Sequence, residues 1–505
     1  MKIERMSFAA LASLMIAFAA CTEEPQQPEP EPEPDPQPQP VVVTKPTAEI
    51  RQADIFATDL FETYYLWSKE ISKDIPRLDP DTCKIPISVV HDIRYHESGK
   101  EVDHWTVLTD DLSSMTSSVQ GLGLTYGYDF QIGNIANKSG TYFLLVTYVV
   151  KGLPAEKAGL KRGDVILTLD GKDITRDNYY DAFNSASVKV GISHIENRTI
   201  GAVEKEVEMT AVDTWENPVL LDTTFVIGSK KVGYLVYNSF DLMSGPILAN
   251  VFREFKAEGI NELILDLRYN GGGFTFTEGL LASLIAPPAN VKAGDVFQTE
   301  VYNDVLSQAW KSQGYDSNTY FSTKHDYEGD NVSIHEDVSD ANPGVDKLYV
   351  IVSGGSASAS EGLIVGLGPY MDITLIGQQT YGKYCGGYMM SPEAFYGSSS
   401  TAEYSRIKKW GMYVMTSKFA DKNGQNAAQP DGIPVDIEAY DIPYDGYQLG
   451  DQEETMLSAA LKAAGKTGTK AGVSTRQVFP LEIVDHRAPR GILVKTELPG
   501  PLPTK

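Results

Sequence analysis

Through the second half of the chain, short apolar runs end in clusters of glycine and serine. "VGYLVYNSF" (Val232–Phe240) reads as a strand. "GPILANVFREFKAEGI" (Gly245–Ile260) spaces its apolar residues as a helix does and carries a glycine where the helix should stop. "ELILDLRYNGGG" (Glu262–Gly273) is a buried strand running into three glycines. "KLYVIVSGGSASASEGLIVGL" (Lys347–Leu367) repeats strand, small-residue turn and helix, and "ITLIGQQTYGKYCGG" (Ile373–Gly387) is expected to do so a third time. Strand–helix alternation of this kind predicts an α/β core with buried sheet strands, whose chemistry collects in the loops at strand ends.

The first half is organised differently. "IRQADIFATDLFETYYLW" (Ile50–Trp67) has helical apolar spacing, and the chain to about Leu112 reads as a small, mainly helical cap. "QGLGLTYGY" (Gln120–Tyr128) and "FLLVTYVVKGLPAEKAGLKRGDVILTLDGKDI" (Phe143–Ile174) give strand, short helix, glycine turn, strand, and a hairpin at Asp170-Gly171. This pair of motifs resembles a PDZ domain. The resemblance implies that backbone N–H groups around Leu122, Gly123 and Leu124 hold the terminal carboxylate of a peptide that adds as a strand to the sheet edge.

Composition adds limits. At 505 residues, two or three folded units are expected. A net charge of −25 leaves no broad phosphate-binding surface, which argues against nucleic acid, and three cysteines do not make a disulfide scaffold. The chain opens on "MKIER" and a short apolar run, "MSFAALASLMIAFAAC" (Met6–Cys21), laid out as a signal peptide. Ala19 and Ala20 before Cys21 resemble a bacterial lipobox, with Phe18 in place of the usual leucine; that implies cleavage before Cys21 and lipid on its sulfur. "TEE" (Thr22–Glu24) resembles the acidic tract of surface-exported Bacteroidetes lipoproteins, and "PQQPEPEPEPDPQPQP" (Pro25–Pro40) is an extended spacer. The expectation is a lipid-anchored protein of the cell envelope.

The turn "SGGSASASEG" (Ser353–Gly362) carries candidate chemistry. A serine on a tight strand-to-helix turn projects its hydroxyl into a cleft, small neighbours let a substrate backbone approach, and the helix N-terminus aims N–H groups at the same point. Such a serine needs a base. No histidine lies near this stretch, and the nearest basic group in a glycine-flanked turn is Lys383, which serves only if burial lowers its pKa.

"GSASASE" followed by "TYGK" resembles the C-terminal-processing, or tail-specific, serine peptidases. The resemblance implies an α/β catalytic core of the crotonase/Clp protease-like kind, a small helical N-terminal cap and an inserted PDZ domain. It makes Ser358 the nucleophile and Lys383, 25 residues on, the general base of a Ser–Lys dyad. "DLRYNGGG" resembles the family's oxyanion motif, which puts that role on Gly271 or Gly272 with the N–H of Ala359 as second donor. "QPDGIPVDI" (Gln429–Ile437) resembles the region that closes the family's core. No metal or cofactor is implied; the partners are protein or peptide substrates met through their C-termini.

There are departures. Members of the family carry a glutamine four residues after the lysine, and here that position is Gly387, so Lys383 must be oriented by Tyr384, Tyr388 or a backbone carbonyl. Residues 309–344 read as an inserted polar loop region, and the chain past about Lys466 matches no motif. Two other functions stay open: a Ser–His hydrolase of the tricorn-like branch using His104 of "DHWTV", and a non-catalytic surface protein that binds peptides or glycans. The expected organisation is a signal peptide to 20, a linker at 21–47, the cap at 48–112, the PDZ domain at 113–213, the catalytic core at 214–465 and a tail at 466–505.

Overall fold

The computed structural model describes residues 45–135, 138–197, 199–329, 332–397, 401–467, 481–482 and 492–495. The expected signal peptide, Cys21 and the proline-rich spacer lie outside the described residues. Among the described residues no helix is long and apolar enough to cross a membrane.

Helix α1 (Ala48–Thr63) begins where the Thr47 hydroxyl accepts the Ile50 N–H at 3.2 Å. It buries Phe56, Leu60 and Phe61 in the same apolar cluster as Leu248, Leu280, Leu363 and Met412. The helical N-terminal segment therefore shares the core of the α/β unit. The strand Val107–Thr109 joins it further, by pairing with Gly411–Tyr413.

The expected PDZ segment folds around its own cluster, which includes Phe130, Leu144, Val146, Ile166 and Val190. Strand β1 (Tyr128–Asn134) pairs antiparallel with Tyr142–Val149, and the sheet continues through Val165–Leu169, Ser187–Ser193 and Lys205–Thr210. Asp170 and Gly171 both take positive φ (51° and 75°), as a two-residue hairpin turn of the primed kind requires.

The first core sheet is built on a parallel run. β2 (Lys230–Tyr237) pairs antiparallel with Val219–Ile227 and parallel with β3 (Glu262–Asp266). Between them α2 (Gly245–Glu258) makes the crossover and ends at Gly259, φ 74°, as its sequence predicts. The order across the sheet reaches β6 (Lys347–Val352), then β7 (Asp372–Gly377) and the short Ile437–Glu438, once β4 (Gly272–Phe274) and β5 (Val296–Tyr302) have left for a second sheet. Helix α3 (Thr275–Ile285) follows β4, and α4 (Ala359–Leu367) follows β6. Because β3 and β6 are parallel neighbours, with Asp266 opposite Ile351, the loops that leave them emerge at one edge and meet.

The second sheet contains β8 (Cys385–Met390) paired antiparallel with β9 (Gly411–Ala420), and β5 on the other side of β9. This corrects the reading of Ile373–Gly387: strand and turn are present, but a strand follows them instead of a helix. A Cβ at Gly387 would lie 2.4 Å from the Val414 carbonyl oxygen, so these glycines bring two strands close together. Residues 309–344 are also more ordered than a loop, since Lys324–Gly329 and Val332–Asp337 form a hairpin. Helix α5 (Thr455–Ala463) covers the first sheet with Met456, Leu457 and Leu461.

Two pieces of the stretch past Lys466 are described, and both are strands. β10 (Leu481–Glu482) adds antiparallel to β1, and β11 (Ile492–Val494) lies between β4 and β8 in the second sheet.

Candidate active site

The β6–α4 turn places Ser358 at the N-cap of α4 with φ 63° and ψ −113°, a conformation that costs a residue with a side chain about 1–3 kcal/mol. Strain of this kind at a strand-to-helix turn is how a nucleophile is lifted out of its backbone. The Ser358 side chain is fully buried and its hydroxyl gives its proton to no acceptor.

The three serines around it are spoken for. Ser353 Oγ donates to the Arg268 carbonyl at 2.5 Å, Ser356 Oγ to the Leu267 carbonyl at 2.8 Å, and Ser360 Oγ to the Asn270 carbonyl at 3.0 Å. These bonds lace the turn to the "DLRYNGGG" loop. The Ala357 N–H adds a fourth tie, to the Asn270 carbonyl at 3.1 Å.

Lys383 is brought to the same place by Glu361. One oxygen of this buried carboxylate, Oε2, accepts the backbone N–H groups of both Ser358 and Lys383, each at 2.9 Å. The other, Oε1, accepts the Gly382 N–H at 2.7 Å and the Thr380 hydroxyl at 2.6 Å. Burial pushes the Glu361 carboxyl up to about 7, against these four donors.

The Lys383 side chain is fully buried. Its ammonium donates to the Tyr413 hydroxyl at 3.2 Å and lies 4.7 Å from the centre of the Trp105 ring. Tyr413, on β9, therefore makes an orienting contact beyond those expected of Tyr384, Tyr388 or a carbonyl. Gly387 has no room for the family's glutamine, for the steric reason given above. Burial lowers Lys383 to about 8, opposed by Cys385, Asp103 and Glu361.

His104 is not drawn into this group. Its half-exposed ring bonds Glu101 at 3.0 Å and meets the edge of Trp105. Trp105, its neighbour in "DHWTV", is the residue of that motif that faces the lysine.

Of the two oxyanion glycines, Gly272 has its N–H committed to Asn270 Oδ1 at 2.9 Å. That removes Gly272 as a free donor and leaves Gly271 of the two. In the PDZ segment, Leu122–Thr125 pairs antiparallel with Val212–Trp215, with Gly123 opposite Thr214, and the Leu122 and Leu124 side chains are exposed.

Fold and site together define a class: an α/β core of the serine-peptidase kind, with its loops gathered at one sheet edge, joined to a PDZ sheet. Comparison with known proteins places the parts. Residues 231–439 match peptidase family S41 and residues 145–183 match the PDZ domain. It is similar to the chloroplastic C-terminal processing peptidase of Tetradesmus obliquus, 28% identical over 281 residues, covering 53% of this chain and 52% of that protein. It is also similar to the carboxy-terminal processing protease CtpA of Bacillus subtilis, 23% identical over 303 residues, covering 59% of this chain and 53% of that one. The chain spans about half the length of these relatives. Among solved structures, a candidate S41 protease from Bacteroides fragilis superposes with a TM-score of 0.64 at 23% identity, over 81% of this chain and 97% of that one, and shares its fold.

If Lys383 is the base, its protonation sets a pH profile. The neutral amine accepts the proton, so kcat/KM should fall about tenfold per pH unit below about 8 and level off above it. Protonation of Glu361 near 7 should steepen the acid limb. A rate constant between pH 6.5 and 9 in a continuous peptide assay would remove Lys383 from the role.

Proposed function

We propose that the protein is a serine endopeptidase of the C-terminal-processing type, hydrolysing envelope or extracellular proteins with Ser358 as nucleophile and Lys383 as base. The observation that carries this is the shared Glu361 carboxylate oxygen, which ties a strained serine with an uncommitted proton and a buried lysine by their backbones to one point. Lys383 takes the Ser358 proton as Oγ attacks a peptide carbonyl. The Gly271 and Ala359 N–H groups receive the oxyanion, and the lysine returns the proton to the leaving amine. Water then repeats the sequence on the acyl-enzyme. The test is fluorophosphonate labelling of Ser358 together with cleavage of an unfolded protein; neither reaction occurring in the purified full chain would overturn it.

The PDZ domain supports capture of substrate termini at Leu122–Leu124. Peptides ending in a free apolar residue should be cleaved several-fold faster than the same peptides amidated, by raised local concentration at the site. Equal rates would make the PDZ a packing module.

Lipid on Cys21, followed by the proline spacer, would hold this enzyme at a membrane. Cys21→Ser should move the protein from the membrane to the soluble fraction or block its processing, and wild type found wholly soluble would reject the anchor.

A further inference from the structure

The second sheet contains a gap that the chain fills with its own tail. β4 and β8 are not neighbours; β11 lies between them, parallel to both. Ile492 is opposite Gly272, Leu493 opposite Gly273, and Val494 opposite both Phe274 and Gly387. One wall of the gap is thus the oxyanion loop, and the other begins two residues after Lys383. An extended segment in this position is where a substrate strand would pass the nucleophile.

The next residue shows what the gap accepts. The Lys495 N–H donates to the Gly387 carbonyl at 2.9 Å. Its side chain is buried, makes an ion pair with Glu300, and reaches the Tyr302 hydroxyl at 3.4 Å with the ammonium 5.3 Å from that ring's centre. Glu278 lines the same place: its Oε1 accepts from Gln298 at 2.7 Å, while Oε2 is buried with no hydrogen-bond partner. Burial pulls Lys495 down to about 7 and pushes Glu278 up to about 8; the Gln298 hydrogen bond opposes the shift of Glu278, and the attraction between Lys495 and Glu278 opposes both, while direct contact with Glu300 adds to the hold on the ammonium. A chamber with two buried carboxyls, a tyrosine face and a glutamine is built for a cation on a long stem. Lys495 is the only residue of the tail described as seated there.

The same tail makes a second strand addition. β10 lies on the β1 edge of the PDZ sheet, with Leu481 opposite Gly133 and Glu482 opposite Ile132. Two sheets are thus both engaged by one segment of this chain. Ser358 and Lys383 meanwhile have no exposed surface.

We propose that the gap between β4 and β8 is the peptide groove of this peptidase, that its Glu300–Glu278–Tyr302 end is a subsite for a lysine or arginine side chain, and that residues 492–495 occupy it as a tethered competitor. The inference rests on the peptidase reading for the word substrate, but the groove and its basic preference stand on strand pairing and on Lys495. The occupant in the working enzyme is an extended peptide with a basic residue three positions after the one beside Gly272. The tail must leave for it to enter.

The test separates binding from hydrolysis. The full chain carrying Ser358→Ala and Lys495→Ala is titrated with a fluorescent peptide of residues 490–497 (RGILVKTE), alongside Ser358→Ala alone and a third chain with Val494→Pro, which removes the strand's N–H by another route. Binding in trans should strengthen at least tenfold when the tail is weakened. It should fall at least tenfold when the peptide's lysine is changed to glutamate, or when Glu300→Gln is added to the protein, and should be kept by an arginine peptide. Equal binding of lysine and glutamate peptides would overturn the basic subsite. No binding to either tail-weakened chain, with its fold shown by an unchanged melting curve, would overturn the groove. In chains with Ser358 intact, Lys495→Ala should raise cleavage of lysine-bearing peptides several-fold over glutamate-bearing ones. Peptide binding of the expected kind with no cleavage by any chain would defeat the peptidase reading and leave the groove standing.

Discussion

Ser358→Ala should lower cleavage of an unfolded protein by roughly 10⁴- to 10⁶-fold while leaving the melting curve where it was, since a covalent step has no substitute once the nucleophile is gone. The fold should tolerate the change because the Ser358 hydroxyl gives its proton to no acceptor in the structure, and alanine bears the same backbone strain at φ 63°. Lys383→Met, which keeps a long side chain against Trp105 and Tyr413, should give a loss of the same order. The two losses should not add, because nucleophile and base act in one step. Near-normal turnover in Lys383→Met together with a dead His104→Ala would move the base to His104. Full activity in Ser358→Ala would end the serine mechanism.

Arg268→Leu should be the most destabilising single change in the core. The guanidinium is fully buried and donates to Asp266 at 2.7 Å, to Glu454 at 2.7 and 3.0 Å, and to Asp441 at 3.0 Å. Burial pushes Asp441 and Glu454 up, yet Arg162 and Arg268 outweigh it and hold both carboxyls below their usual range. Arg162 comes from the PDZ segment and also bonds the Thr147 carbonyl at 2.8 Å, so the network joins the two sheets. Removing Arg268 leaves one arginine among three buried carboxylates. Breaking a buried pair costs about 3–5 kcal/mol, against about 0–1 kcal/mol for an exposed pair such as Arg51–Asp81. Chemical unfolding followed by tryptophan fluorescence should show the difference. A shift within 1 kcal/mol of wild type would mean that water or rearrangement replaces the arginine.

The parallel strands were legible because burial on both faces writes itself as unbroken apolar runs: "ELILD" and "KLYVIV" become β3 and β6, with Gly259 and the Asp170-Gly171 turn where their chemistry puts them. The helix expected after Ile373–Gly387 failed because "GKYCGG" looks like the small-residue turn before it. Only the approach of Val414 to Gly387 shows that these glycines serve strand packing. The hairpin inside 309–344 was present as a weak alternation in "VSIHED", masked by its charges. At the site, Ser358 and Lys383 sit in local motifs and were readable, and Glu361 had a signal in its place three residues into the helix after Ser358. Tyr413 and Trp105 had none. They reach Lys383 across 30 residues and 278 residues of chain respectively, through β-sheet pairing and the buried N-terminal segment. The tail was unreadable for the same reason: β10 and β11 are two and three residues long, and their pairing partners lie at least 107 residues away.

Four serines stand within eight residues at Ser353–Ser360, all with the same functional group. Hydrogen bonding sorts them: three hydroxyls donate to carbonyls of the neighbouring loop, which commits their protons. Only Ser358 keeps a proton that a base can take. A cluster that looks redundant in composition is therefore sorted by position, with three alcohols protected in place and one left uncommitted.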